Sequence, residues 1–283
     1  MEVKKIGVLG AGQMGAGIAQ IAASKGFTVV LRDIKQEFCD GALAKMRAGL
    51  EKRVAKGKTT QEAVEATMAN ISTAVDLAGV ADCDMVIEAV PEILELKTST
   101  FKELGQLCRS DAILVTNTSS MSVSKIVSEC ANPERCAGMH FFFPVTAMKL
   151  VEVIRGEKTS DATVETVLAV AKGMGKTPVT CRTDTPGFIV NRCLFAFMLE
   201  AIHCYEDGVA SIEDIDIAIK NGLNHPLGPF EMMDMSGLDT FPHVCETLEA
   251  LPVTDWATPN AVKKLVAEER YGRKNGRGWY DYQ

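Results

Sequence analysis

The stretch that most constrains this chain lies within its first fifteen residues. Lys4-Lys5-Ile6-Gly7-Val8-Leu9 reads as a short buried strand, and Gly10-Ala11-Gly12-Gln13-Met14-Gly15 follows without a spacer. A helical pattern begins at once, with Ile18, Ile21 and Ala22 on one face. Strand, G-x-G-x-x-G and helix in that order form a dinucleotide-binding fingerprint. Gly10 permits the tight turn, Gly12 lets backbone approach a pyrophosphate, and Gly15 lets helix and strand pack closely. The helix N-terminus then offers N–H groups and positive dipole to the phosphates.

A second apolar run, Phe27-Thr28-Val29-Val30-Leu31, ends at Arg32-Asp33, and Asp33 stands 18 residues after Gly15. A carboxylate at that strand tip accepts hydrogen bonds from the adenosine ribose and repels a 2′-phosphate, so the expected cofactor is NAD rather than NADP. Arg32 beside it pulls the other way.

Composition narrows the partners. The net charge of −7, from 30 basic and 37 acidic residues, argues against a general nucleic-acid binder. No apolar stretch reaches the length of a membrane span, and the chain enters a core strand within a few residues. We therefore expect no membrane segment, no secretory leader and a cytoplasmic location. Nine cysteines form no C-x-x-C and no zinc-like spacing, which suits reduced thiols and no metal site. At 283 residues there is room for a dinucleotide domain and a smaller partner.

In chain order, residues 36–57 read as a long helix whose far end is basic: Lys45, Arg47, Lys52, Arg53, Lys56 and Lys58. That face is either simply solvated or a landing strip for an anionic substrate tail. Thr59 and Thr60, followed by Glu62, start a second helix, giving a helical hairpin inserted in the nucleotide domain. Residues 71–74, 84–90 and 112–116 are strands, and 93–108 is a helix. The strand at 112–116 runs into Asn117-Thr118-Ser119-Ser120, where open α/β sheets bind ligands. One of the two serines is expected to cap the helix that Val123, Ile126 and Val127 suggest.

His140 closes the apolar stretch Cys136-Ala137-Gly138-Met139, and twelve residues on Glu152 interrupts Leu150-Val151-Glu152-Val153-Ile154. A carboxylate rarely sits in such a run unless paired. Two isolated polar groups in neighbouring apolar strands satisfy each other most simply as a His–Glu pair, which is a general base with its orienting partner. A helix over 160–173 and a strand over 176–181 complete the first domain, placed at 1–184. Thr183 to Gly187 is the linker, and 185–283 is a helical domain that opens with a helix from Phe188 to about Tyr205. Ser211-Ile212-Glu213-Asp214 opens another helix as a capping box, and 222–230 is a Gly/Pro loop. The crowding of Phe195, Phe197, Met198 and Leu199 leads us to expect a homodimer or higher homo-oligomer formed through this domain. The expected fold is thus α/β: an N-terminal Rossmann-like, doubly wound sheet with a helical insertion, plus an all-α C-terminal domain.

These motifs together resemble the short-chain L-3-hydroxyacyl-CoA dehydrogenases, especially the bacterial 3-hydroxybutyryl-CoA dehydrogenases. The match runs through the glycine turn, Glu88 to Glu92 with Lys97, Asn117 to Ser120, Gly138 to Phe142 and Met148 to Glu152. It continues in Pro186 to Arg192, Asn224 to Pro229, and Gly272 to Tyr282. The resemblance implies that His140 takes the C3 hydroxyl proton of an acyl-CoA substrate, that Glu152 orients it, and that Ser119 and Asn191 hydrogen-bond the substrate. It implies NAD contacts from Gly10, Gly12, Gln13, Met14, Gly15, Asp33, Glu92, Lys97, Ser119 and the Phe143 position, with Lys274 reaching in from the C-terminal tail. Arg53 and Lys56 fall where the family holds the CoA phosphates. Two positions depart from the pattern: Phe143 stands where the family has asparagine, and Gly49 where some relatives have serine. A dehydrogenase of free hydroxy acids or sugar acids, and a non-catalytic NAD sensor, are the competing readings; an intact Ser119, His140, Glu152 and Asn191 set speaks against the second.

Overall fold

The computed structural model describes residues 2–249, 251 and 257–282, and it divides into two compact units, 1–185 and 186–283. The first unit holds eight strands: β1 (Lys5–Leu9), β2 (Thr28–Arg32), β3 (Ile71–Ala74), β4 (Met85–Glu88), β5 (Ile113–Thr116), β6 (Cys136–Phe141), β7 (Leu150–Ile154) and β8 (Thr177–Cys181). They form one sheet in the order β3-β2-β1-β4-β5-β6-β7-β8. Every neighbouring pair is parallel except β6 and β7, which run antiparallel. The inner parallel strands are short, largely apolar runs because helices cover both faces of such a sheet, whereas the edge strands β3 and β8 are mixed and partly exposed. β4 and β5 are buried at every residue.

The connecting helices are α1 (Gln13–Ser24), α2 (Gln36–Ala55), α3 (Gln61–Ala69), α4 (Leu94–Leu107), α5 (Val123–Ile126) and α6 (Asp161–Gly173). α1 buries Ile18, Ala19, Ala22 and Ala23 in the sheet core, as its period requires. α2 and α3 are the inserted hairpin. Thr60 caps α3 by accepting the Ala63 amide at 3.3 Å, while α2 stops at Ala55, two residues short of the expected end. The cap of α5 is Ser122, which accepts the Lys125 amide at 3.2 Å, and not Ser119 or Ser120. Those two serines lie too early, because Met121 intervenes and α5 is a single turn. The nine cysteines are all free thiols, and seven of them are buried.

The second unit is helical, with α7 (Val190–Glu206), α8 (Ile212–Gly222), α9 (Pro229–Ser236), α10 (Phe241–Leu248) and α11 (Asn260–Ala267). α7 begins at Val190 rather than Phe188, because Phe188 adopts a left-handed φ of 48°. Ser211 caps α8 through the Asp214 amide at 3.1 Å, as the capping box requires. The loop expected over 222–230 is shorter, since α8 runs to Gly222 and α9 starts at Pro229.

Two buried carboxylates lock the C-terminal tail onto this unit. Asp234 accepts the Trp279 and Tyr280 amides at 2.8 and 3.0 Å and the Tyr282 hydroxyl at 2.8 Å. Asp216 accepts the Phe230 amide at 2.9 Å and the Tyr280 hydroxyl at 2.7 Å. Trp279 packs edge-on against Phe230 and Tyr205, with ring centroids 4.8 and 5.9 Å away. Among the described residues no helix is long and apolar enough to cross a membrane.

Candidate active site

A parallel sheet delivers its loops to one edge, and the first-unit candidates from the strand ends collect there. Gly10 leaves β1 with a φ of 98°, and its amide donates to the Arg32 carbonyl at 2.8 Å. A side chain on Gly10 would meet the Ala89 carbonyl at 2.5 Å, and one on Gly15 would meet the Gly10 carbonyl at 1.8 Å. A Cβ on Gly12 would point into open space, with nothing within 4 Å. No side chain caps α1 at Gly12, and no acid occupies its first turn. An open cradle before an uncapped, uncharged helix start is what a pyrophosphate needs, so these residues fit a dinucleotide. Gln13 is exposed and Met14 half-buried on that first turn. Asp33 stands over the turn, its Oδ2 accepting the Ala11 amide at 2.6 Å and its Oδ1 the Ile34 amide at 2.7 Å. The Arg32 guanidinium is tethered sideways, donating through Nε to the Val75 carbonyl at 3.1 Å.

Beyond β4 and β5 the polar groups form one network. Glu92 Oε1 accepts from Thr118 Oγ1 at 3.0 Å, the Ser119 amide at 2.7 Å and Ser119 Oγ at 3.2 Å. Its other oxygen lies 3.1 Å from Lys97 Nζ. Lys97 is only 1% exposed and donates to Glu88 Oε1 at 2.6 Å, while Glu88 Oε2 accepts Thr116 Oγ1 at 2.6 Å. Its ammonium is thus held between two carboxylates, one of which, Glu88, was not among the residues singled out. The sequence did carry a signal for it: an acid ending an otherwise apolar strand demands a partner.

His140 and Glu152 occupy directly opposed positions in the β6–β7 pair, with Nδ1 and Oε2 2.7 Å apart. His140 is 5% exposed and Glu152 fully buried. The one antiparallel pairing in the sheet makes this possible, since it puts Glu152 across the ladder from a histidine one residue before the end of β6. Asn117 Oδ1 accepts the Phe141 amide at 2.9 Å, continuing the β5–β6 ladder by a side chain just past its last backbone pair, Thr116 and Gly138. The His140 ring lies 4.5 Å from that of Phe142, and Phe143 is 61% exposed.

Other candidates lie elsewhere. Arg53 and Lys56 are exposed at the end of α2. Arg47, counted with them in the sequence, is instead bound to Glu65 of α3 through two hydrogen bonds of 2.7 and 3.2 Å. Asn191 lies in the first turn of α7, and Lys274 in a short 3-10 turn, where its ammonium meets Asp239 and covers the Tyr271 ring at 5.5 Å. Both belong to the second unit.

A doubly wound sheet with a dinucleotide-binding glycine turn, and a buried His–Glu pair on the same edge, define a nicotinamide-dependent oxidoreductase. Comparison with known proteins makes the class specific. Residues 5–185 match the NAD-binding domain of 3-hydroxyacyl-CoA dehydrogenase, and residues 187–282 match the C-terminal domain of the same enzymes. The chain belongs to the 3-hydroxyacyl-CoA dehydrogenase family, and it is an enzyme that uses NAD. It is 44% identical over 279 residues to a probable 3-hydroxybutyryl-CoA dehydrogenase of Deinococcus radiodurans, covering 98% of this chain and all of that one. It is 43% identical to the human mitochondrial hydroxyacyl-coenzyme A dehydrogenase, over 99% of this chain and 92% of that one. Among solved structures, the (S)-3-hydroxybutyryl-CoA dehydrogenase of Ralstonia eutropha is similar over the whole of both chains, with a TM-score of 0.96 and 37% identity.

Proposed function

We propose that this enzyme catalyses the reversible oxidation of (S)-3-hydroxybutyryl-CoA to acetoacetyl-CoA, with His140 as general base. The observation that carries the reading is the in-register His140–Glu152 pair, 2.7 Å apart and buried, on the sheet edge that also bears the glycine turn. Glu152 accepts the Nδ1 proton and so leaves Nε2 as the basic nitrogen for a substrate hydroxyl. Gly10, Gly12, Gly15 and Asp33 hold the dinucleotide, with Gln13, Met14, Glu92, Lys97, Ser119, Phe143 and Lys274 as further contacts. When bound, NAD supplies the hydride acceptor. Ser119 and Asn191 hydrogen-bond the substrate oxygen and thioester, fixing the C3 carbon for transfer. Arg53 and Lys56, both exposed cations, pair with the CoA phosphates.

We assign the reaction to butyrate-type fermentation or fatty acid metabolism, and the free, mostly buried thiols support a reducing compartment such as the cytoplasm. A homodimer through the second unit is part of this proposal, although Met198 and Leu199, two of the residues behind that expectation, lie in the unit's own core with Phe195 packed against it. Sedimentation as a particle of only 30.6 kDa would refute that assembly.

The decisive assay follows nicotinamide absorbance with acetoacetyl-CoA, comparing NADH with NADPH. Rapid NADH oxidation is expected, and it would show that phenylalanine at 143 is compatible with turnover. No oxidation of either cofactor would overturn the substrate assignment in favour of a free hydroxy acid.

A further inference from the structure

We propose that Asp184 is a positioning residue for the reaction, holding the loop that carries Ser119. Asp184 lies after β8, at the end of the first unit, yet its carboxylate binds residues some sixty positions earlier. Oδ2 accepts Ser122 Oγ at 2.6 Å and the Ser124 amide at 2.7 Å, and Oδ1 accepts the Val123 amide at 3.0 Å. Three donors on one carboxylate are strong, charge-assisted contacts. Ser122 is the cap of α5, so Asp184 fixes the cap itself as well as the first two amides of the turn.

The loop between β5 and α5 is therefore held at two ends. On the β5 side, Glu92 takes Thr118 and Ser119, and Asn117 reaches the Phe141 amide beside His140. On the α5 side, Asp184 takes Ser122, Val123 and Ser124. Ser119, Ser120 and Met121 span the interval, with the Met121 amide bonded to Thr118 Oγ1 at 3.0 Å. Without Asp184 the α5 side of this loop loses three of its bonds. The same carboxylate ties the start of the linker to this loop. The proposal rests on the reading of Ser119 as a residue that faces substrate and cofactor.

Hydrogen exchange of the ligand-free protein, followed by mass spectrometry, tests the geometry without turnover. Asp184→Ala is expected to speed exchange in the segment 117–124 and leave β1 unchanged. Asp184→Asn, which keeps one of the two acceptor oxygens and leaves the Ser122 cap in place, gives a smaller change in the same segment and serves if Asp184→Ala does not fold. Asp76→Ala removes a comparable cap, the bond to the Ala78 amide at 3.0 Å, remote from this loop, and is expected to leave both the segment and turnover unaltered. In kinetics, Asp184→Ala should lower kcat about tenfold or more, the scale set by misplacing a positioning group. Added to Ser119→Ala it should cost no more than about another twofold, because residues acting as a unit are not additive. Unchanged exchange in 117–124, or fully multiplicative losses in the double variant, would overturn the role of Asp184. Full activity in Ser119→Ala alone would instead refute the functional reading of Ser119.

Discussion

His140 and Glu152 face each other across the antiparallel β6–β7 ladder, Nδ1 to Oε2 at 2.7 Å, with Glu152 fully buried and His140 nearly so. A histidine so held has one nitrogen committed to the carboxylate, and any chemistry falls to the other. His140→Gln should lower kcat about a hundredfold or more, the usual scale of general-base catalysis. Glu152→Gln, whose amide oxygen still accepts the Nδ1 proton, should cost less than Glu152→Ala. NADH binding, read by fluorescence titration, should survive all three. A His140→Gln enzyme with ordinary turnover would remove the residue from the mechanism.

The glycine turn yields a contrast between two alanine substitutions. Gly12→Ala adds a methyl into open space, so the melting temperature should stay where it is. The same methyl occupies room that a pyrophosphate requires, so NADH should bind about tenfold or more weakly, a loss of about 1.4 kcal/mol. Gly15→Ala places its Cβ 1.8 Å from the Gly10 carbonyl, and should lower stability and affinity together. Equal melting losses in the two variants would contradict this account.

The Lys97–Glu88 pair predicts an asymmetric stability result. Lys97→Met leaves Glu88 buried without its cation, a loss of about 3–5 kcal/mol in urea unfolding. Replacing Glu88 by glutamine in that background removes the stranded charge and should restore part of the loss. A double variant no more stable than Lys97→Met would mean that the charge is not the cause.

Asp84 predicts a pH dependence. Burial alone would raise its pKa, but the Lys5 and Lys4 amides, both donating to Oδ2 at 2.8 Å, and the Arg109 guanidinium outweigh it, so the net shift is downward. A carboxylate lowered in the folded state stabilises it above the ordinary aspartate value of 3.8, and that contribution disappears as pH falls through the lowered value. Asp84→Asn should therefore melt below the parent enzyme at pH 7. The gap should close on acidification below 3.8. A gap independent of pH would point to lost packing instead of lost charge.

The parts of the fold written in local pattern were legible in the sequence. The inner strands are short apolar runs, the edge strands β3 and β8 are mixed, and α1 follows the glycine turn without a break. The NAD-binding fold, the helical second half and the family follow from the same motifs. The pairing of His140 with Glu152 was readable because each is a lone polar group in an apolar strand, and a buried charge demands a partner. Less accessible was anything decided by long-range acceptors. Asp184 lies in a polar linker, Asn117 among other small polar residues, and Asp216 and Asp234 among helical acids that look solvated. Nothing in the local spacing shows that these four reach 24 to 64 residues away. The cap of α5 was missed for a related reason, since a run with serine at 119, 120 and 122 offers several caps and only the Asp184 contact selects the last.

The tail locked by Asp216 and Asp234 has a consequence for how the second unit can be assembled. Its attachments are side-chain acceptors and an aromatic cluster, contacts that do not depend on peptide continuity. A chain clipped between α10 and α11 should therefore migrate as one particle until denaturant separates the pieces. The segment from Asn260 onward, supplied as a separate peptide, should complement a protein that lacks it, turning this unit into a split reporter whose signal is its own reassembly.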